Sequence, residues 1–389
     1  MGWWNRSLQF FERTTLAWLA NLSHASDAKA SADFNNCMPV VLPFPKARLH
    51  NTVFQMINGR SQLMDFHGSF VLTEIDKLPA GGKVCNFPLQ TPTATFVLFG
   101  DMGAPSEQRS QVIQAMNKSL HDSKCNKSTP FVIGLGDWMY PRGPTDHSKS
   151  QINLAHKTIF HACQPLIKSA PLYGILGNHE YGDEIAPANP EAFLQAASQA
   201  GIVIPSRYYQ LEFDHKEFGI DCFALDTSTI ATDVDQVQWL TQQLAYSVAR
   251  ETREAMPRWR IIAAHHPLES YGLHEGETLF LKSLLSTALP QIHLYICGHE
   301  HDMEFLDFSD KLNQKPSEKL PPMLLTGTTS YSRSVQQGSF SQYATSVAGF
   351  GHLNISKDRL LIDCFEINTN KLAPKKQGFH KTVYFDTLN

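Results

Sequence analysis

Seven side chains in five short segments could do chemistry together: Asp101 in GDMG, Asp137 and Tyr140 in GDWMY, Asn178 in GNHE, His265 in AAHHP, and His299 and His301 in GHEH. Carboxylate, phenol, amide and imidazole groups are donors for hard and borderline metal ions. Hydrolysis of a phosphate ester needs a nucleophile and positive charge for the phosphoryl oxygens, and two metal ions about 3.5–4 Å apart supply both. Such a centre requires a carboxylate able to bridge. Asp137, which ends a buried strand in the middle of the set, is the expected bridge. His299 and His301 flank Glu300, and in an extended segment alternate side chains leave on the same side. Alone, Asp101 would read as a turn residue and Tyr140 as a core or rim tyrosine. In combination and in this order, the five segments predict a two-metal phosphoesterase.

The elements that must position these donors follow from periodicity. Continuous apolar runs end at or just before nearly every donor segment: TFVLFGD, PFVIGLGD, PLYGILGNHE, RWRIIAAHHP and IHLYICGHE. GIDCFALDT and PPMLLTGT are two further runs of the same kind. Runs of this type suit strands covered by helices on both faces. Helical spacing appears from Ser106 to His121, around Ile152 to Phe160, from Asp233 to Arg250 with an aspartate cap, and over Leu279–Leu289 before Pro290. HLNISKDRLLIDCFEI reads as a hairpin closing a sheet edge. An α/β domain over residues 93–389 results, with the functional crevice beyond the carboxyl ends of its strands. Residues 1–92 read as an N-terminal extension of uncertain fold, with strands expected around Thr52–Met56 and Ser69–Ile75.

Bulk properties narrow the classes. The chain has 389 residues, a formal net charge of −4 and 42% hydrophobic residues, which suits a large globular domain with an appendage. No basic cluster points to nucleic acid. Seven cysteines without a CxxC pair argue against a disulfide framework or zinc ribbon, and Cys297 reads as a small buried residue. No apolar run is long enough for a spanning helix. Arg6 and Arg13 precede the apolar stretch 14–20, followed by Ser23-His24-Ala25, which fits either a secretory signal or an amphipathic helix. Composition leaves the oligomeric state open.

The order GDxG, GDxxY, GNHE, xxxH and GHxH resembles the calcineurin-like metallophosphoesterases, and within them the purple acid phosphatases of the small, tartrate-resistant type, over roughly residues 94–386. Most such phosphoesterases carry a histidine two residues after the first aspartate. This chain has Gly103 there, and Tyr140 stands as the replacement ligand. The resemblance implies a sandwich of two mixed β-sheets flanked by helices. It implies one metal ion on Asp101, Asp137, Tyr140 and His301, with the character of an Fe(III) site. A second ion, Fe(II), Zn(II) or Mn(II), would take Asp137, Asn178, His265 and His299. His179 and His274 match substrate-side positions, one on the phosphate and one at the leaving group. The implied reaction is phosphomonoester hydrolysis by a metal-bound hydroxide with an acidic optimum, on a phosphorylated small molecule or phosphoprotein. A phosphodiesterase or nucleotide pyrophosphatase on the same scaffold is the alternative, and a phosphate-binding protein without catalysis a further one. The family also favours a secreted or periplasmic location. His266 and Asp226 are expected beside the ligand set rather than in it, and Trp138 and Met139 at the pocket mouth.

Overall fold

The computed structural model describes residues 63–64, 70–71, 80–125, 127–183, 185–273, 279–288, 292–310, 320–367 and 376–385. Two sheets face one another. One has six strands in the order Lys376–Tyr384, Arg359–Glu366, Gly349–Ile355, Ala94–Phe99, Thr129–Gly134 and Leu172–Gly174. The other has eight, in the order Ser341–Thr345, Met303–Leu306, Met323–Thr326, Leu294–Cys297, Arg258–Ala263, Gly219–Ala224, Tyr209–Asp214 and Lys83–Pro88. Both are mixed, with parallel centres and antiparallel neighbours.

Strand alternation divides the core. Phe96 and Leu98 point between the sheets, where they meet Phe131, Phe213, Ile261, Ile296 and Leu353. Val97 and Phe99 point outward, under the helices Glu107–Cys125, His161–Ser169 and Pro190–Ala200. On the far side, Phe223, Ile262 and Tyr295 lie beneath Val234–Glu254 and Leu279–Ala288. Each central strand is therefore buried on both faces, which is why its sequence is continuously apolar. The result is the expected α-β-β-α sandwich.

Local signals account for the helix boundaries. Asp233 Oδ1 accepts from Gln236 N at 3.1 Å and starts Val234–Glu254. Asn189 caps Pro190–Ala200, and Gly201 ends it in the left-handed conformation. The helical stretch around Ile152 contains a π turn at His156–Phe160. Arg109 donates to Thr158 O in that turn (2.8 Å) and to Met102 O (3.1 Å), tying it to the GDMG loop.

Three expectations change. The hairpin Gly349–Ile355/Arg359–Glu366 forms, but it does not close the sheet: Lys376–Tyr384, KQGFHKTVY, pairs outside it and has too weak an alternation to announce itself. Lys83–Pro88, on the N-terminal side of the 92/93 division, is hydrogen-bonded in parallel to Tyr209–Asp214 at the edge of the large sheet. Trp138 lies in the core rather than at a pocket mouth, fully buried with its indole N–H donating to Ile175 O at 2.7 Å, and Met139 is buried beside it. The helical opening and the strand expected at Thr52–Met56 lie outside the described residues. Among the described residues, no helix is long and apolar enough to cross a membrane.

Candidate metal centre

All five donor segments leave the carboxyl ends of strands, three from the six-stranded sheet and two from the eight-stranded one. Asp101, Asp137 and Asn178 follow Ala94–Phe99, Thr129–Gly134 and Leu172–Gly174. His265 and His299 follow Arg258–Ala263 and Leu294–Cys297. Turning sharply out of a strand has a backbone cost. Asp101, Asp137, His299 and His301 have φ of 60°, 54°, 82° and 59°, a left-handed region that L-residues enter at roughly 1–2 kcal/mol each. Side chains that could avoid this conformation elsewhere are held in it here, as is common where geometry serves a site.

The turns bring seven side chains into two sets. In the first, Tyr140 Oη lies 3.0 Å from Asp101 Oδ1, 3.0 Å from Asp137 Oδ2 and 3.3 Å from His301 Nε2. In the second, His265 Nε2 lies 3.1 Å from Asn178 Oδ1, 3.0 Å from His299 Nδ1 and 3.3 Å from Asp137 Oδ1. Donors about 2.1 Å from a common ion are separated by about 3.0–3.4 Å, so both sets have the spacing of a coordination shell. Asp137 belongs to both, one oxygen facing each. The donor atoms of Asp137, His265 and His299 lie within 4.8 Å of one another. His265 Nδ1 lies 2.7 Å from Leu135 O, which can only accept, so Nδ1 keeps its proton and Nε2 is the nitrogen that can offer a lone pair to the set once the ring is neutral.

Crowding these groups together perturbs them. Burial raises the carboxyl of Asp101, and the charge of Asp137 adds to this against the opposing pull of His265. Asp137 falls far below the ordinary carboxylate range: burial opposes ionisation, but His265 and His179 outweigh it. For His265 the order is similar. Burial disfavours its cation, yet Asp137 and Asp101 raise it to about 9. Burial and the two aspartates push the Tyr140 phenol well above 10. Protons and metal cations therefore compete for the same atoms, and two buried carboxylates this close need positive charge between them.

A calcineurin-like phosphoesterase family model matches residues 94–303, the stretch from the first donor strand through both donors of GHEH. The chain belongs to the calcineurin-like phosphoesterases. It is 24% identical over 241 residues to tartrate-resistant acid phosphatase type 5 of Sus scrofa, covering 56% of this chain and 66% of that protein. It is 27% identical over 236 residues to purple acid phosphatase 3 of Arabidopsis thaliana, covering 56% and 60%. The chain thus spans less than two thirds of either relative. A purple acid phosphatase from yellow lupin superimposes with a TM-score of 0.56 at 16% identity, over 77% of this chain and 55% of the other, a likeness of fold. Membership of this family implies a binuclear metal centre, and the two donor sets fit one.

Within this phosphoesterase the exchange at position 103 has a steric cause. A Cβ on Gly103 would lie 2.7 Å from Tyr140 Cδ2 and 2.8 Å from Tyr140 N. The tyrosine ring occupies the space that a side chain at 103 would need, so only one of the two positions can supply a donor. His179 stands beside the sets. Its Nδ1 donates to Pro141 O, its ring packs edge-on against Tyr140 at 4.6 Å, and its Nε2 lies 3.8 Å from Asp137 Oδ2. It is one third exposed and so faces the opening. His274 lies outside the described residues. His266 is buried against Thr227 and the ring of His299, out of both sets. Asp226 accepts from Arg207 at 2.6 Å and from Tyr181 at 2.5 Å, tying the GNHE loop to the second sheet.

Two residues escaped the sequence reading. Glu180, the last residue of GNHE, is fully buried and accepts from the backbone N–H of Asp137 (3.0 Å), Trp138 (2.9 Å) and Gly177 (2.7 Å). It clamps two donor loops with one carboxylate, and its place in the motif was the available signal. Tyr331 stacks on His301 with centroids 4.1 Å apart and planes at 19°. Nothing in its local sequence marks it, because the contact joins segments that only the fold brings together.

Three outcomes follow. Gly103→Ala will displace Tyr140 and weaken metal retention at the first set by about 10–100-fold while leaving the second set loaded, as read by metal analysis after dialysis. Glu180→Ala will weaken retention at both sets by a similar factor. Equal retention in this variant and the wild type would remove Glu180 from the centre. For metal-free protein, Zn(II) affinity of the second set will fall about tenfold per pH unit below about 9, because His265 is then protonated and an ion bound there must expel that proton; above 9 the His265 contribution levels off. Calorimetry at pH 6 and pH 8 that returned one affinity would contradict the linkage.

Proposed function

We propose that this phosphoesterase is a binuclear-metal phosphomonoester hydrolase of the acid phosphatase type. One observation carries the reading: Asp137 presents Oδ1 to one donor set and Oδ2 to another, and the set containing Tyr140 is the one a hard trivalent ion would select. A phenol raised well above 10 gives up its proton only to a strongly polarising cation, which favours Fe(III) on Asp101, Asp137, Tyr140 and His301. The second set, Asp137, Asn178, His265 and His299, suits Fe(II), Zn(II) or Mn(II). Ions bound there would supply the nucleophilic oxygen and neutralise charge gathering on the phosphoryl group.

The protein's own residues then orient the ester. His179 is anchored through Nδ1 to Pro141 O, which leaves Nε2 toward the opening and the phosphate. With Nδ1–H committed to Pro141 O, Nε2 donates to a phosphoryl oxygen as part of an imidazolium, without further ordering of the side chain. His274, in the segment that follows Leu273, is assigned to the leaving group, where a protonated imidazole donates to the departing alkoxide. The substrate is a phosphorylated small molecule or a phosphoprotein. The names of the matched relatives, both acid phosphatases, support the monoester reading.

Purified protein should contain two transition-metal ions per chain, including iron, and absorb in the visible from the Tyr140 phenolate. It should hydrolyse a generic aryl phosphate with an acidic optimum. Tyr140→Phe should abolish the colour, and Asp137→Asn should lower kcat/KM by more than about 100-fold with the circular dichroism spectrum retained. A colourless, manganese-only protein that cleaves diesters faster than monoesters would be a phosphodiesterase instead. Hydrolysis unchanged in Asp137→Asn would end the catalytic assignment.

A further inference from the structure

The rim of the first donor set carries a phenol that the two-metal reading leaves unused. Tyr331 stacks on His301, and its ring also meets that of Tyr140 at 5.9 Å, as His179 does at 4.6 Å. Tyr331 and His179 thus both border Tyr140, and both are only partly buried. Burial raises the Tyr331 phenol above its ordinary value, Arg333 opposes this, and Asp101 and Asp137 add to it. Both carboxylates of the first set therefore lie within electrostatic reach of Tyr331 Oη.

The proton of this phenol is unspent. Among the described residues, Oη has one hydrogen-bond partner, Arg333 Nη2 at 3.5 Å. A guanidinium only donates, so Oη accepts there and its own O–H is directed at no protein group. The guanidinium carbon also lies 5.7 Å from the centre of the Tyr331 ring. A cation at the phenol oxygen draws charge from it and makes the O–H a stronger donor.

The loop holds this donor still. Gln108 Nε2 donates to Thr328 O at 2.8 Å and to Ser332 Oγ at 3.1 Å, on either side of Tyr331. Ser106 Oγ donates to Ser330 O at 2.6 Å, and Arg333 N to His301 O at 2.8 Å. A donor fixed before the substrate arrives loses little freedom on binding. Bracing His301 accounts for the ring but not for the hydroxyl, since a phenylalanine would stack equally well.

We propose that Tyr331 is a substrate-binding residue whose O–H donates to a terminal oxygen of the phosphoryl group. The inference rests on the phosphomonoesterase reading above and adds a second protein donor to His179. Terminal phosphoryl oxygens carry the negative charge of the ester, and hydrogen bonds to charged acceptors are the strong ones. An uncharged donor supplies such a bond without repelling the cations expected at the centre.

The test uses the full chain with both donor sets loaded. Tyr331→Phe keeps the ring on His301 and removes Oη alone. Its Kd for inorganic phosphate, measured by calorimetry, should rise about tenfold or more, and kcat/KM on an aryl phosphate should fall by a similar factor. Metal content and the visible band of the Tyr140 set should match the wild type, because the stack is retained. Phosphate affinity and turnover equal to the wild type would overturn the proposal and leave Tyr331 as a brace for His301. A parallel loss of metal in Tyr331→Phe would overturn it as well, by assigning the hydroxyl to the metal centre. Failure of the underlying reading shows in the wild type itself, as absent metal or absent monoester hydrolysis. Failure of this inference shows only in the comparison of the wild type with Tyr331→Phe.

Discussion

The centre depends on one carboxylate serving two donor sets. Asp137 can place Oδ1 beside His265 and Oδ2 beside Tyr140 only because its backbone is held at φ 54°, where an aspartate does not rest by preference. The restraint comes from Glu180, which accepts the N–H groups of Asp137 and Trp138 and reaches across to Gly177 in the neighbouring loop. Trp138, next in sequence, is sealed into the core. A strained turn is thus fastened on one side by a buried hydrogen-bonded acid and on the other by a packed indole.

The same logic extends to the other donors. Asp101 Oδ2 accepts from His299 N at 2.8 Å, so the first donor segment of one sheet is hydrogen-bonded to the last donor segment of the other. Ser330 N donates to Asp101 O at 3.2 Å, and Arg333 N to His301 O at 2.8 Å. The two bonds to Asp101 cross between the sheets at their carboxyl ends, and the one to His301 fastens two loops of the eight-stranded sheet to each other. They allow a cluster of like-charged and mutually repelling groups to stay assembled, and the chemistry expected of bound cations relies on that preorganisation.

Much of this was legible along the chain. The donor strands could be read because strands buried on both faces are continuously apolar, and the donors because Gly-Asp, Gly-Asn-His and Gly-His-x-His after such strands are uncommon without a purpose. The exchange between Gly103 and Tyr140 was also visible, as two departures in separate segments. Weakly patterned elements were not legible. The edge strand Lys376–Tyr384 alternates poorly because residues 377–384 are all exposed or half-buried, so no face of it is fully committed to the core, and Lys83–Pro88 is mostly exposed on a sheet rim. Trp138 was misplaced because an aromatic beside a donor looks the same in sequence whether it faces the pocket or the core.

By itself the sequence determined the chemical types of the donors, their order and the strands that end at them, since these follow from periodicity and side-chain chemistry. Tertiary structure decided what lies opposite what. It alone divided the donors into two sets about Asp137, explained why position 103 must be glycine, and revealed Glu180 beneath two loops and Tyr331 over His301. Each of these is a distance between residues far apart in the chain, set by how two sheets pack, and no local pattern encodes that distance.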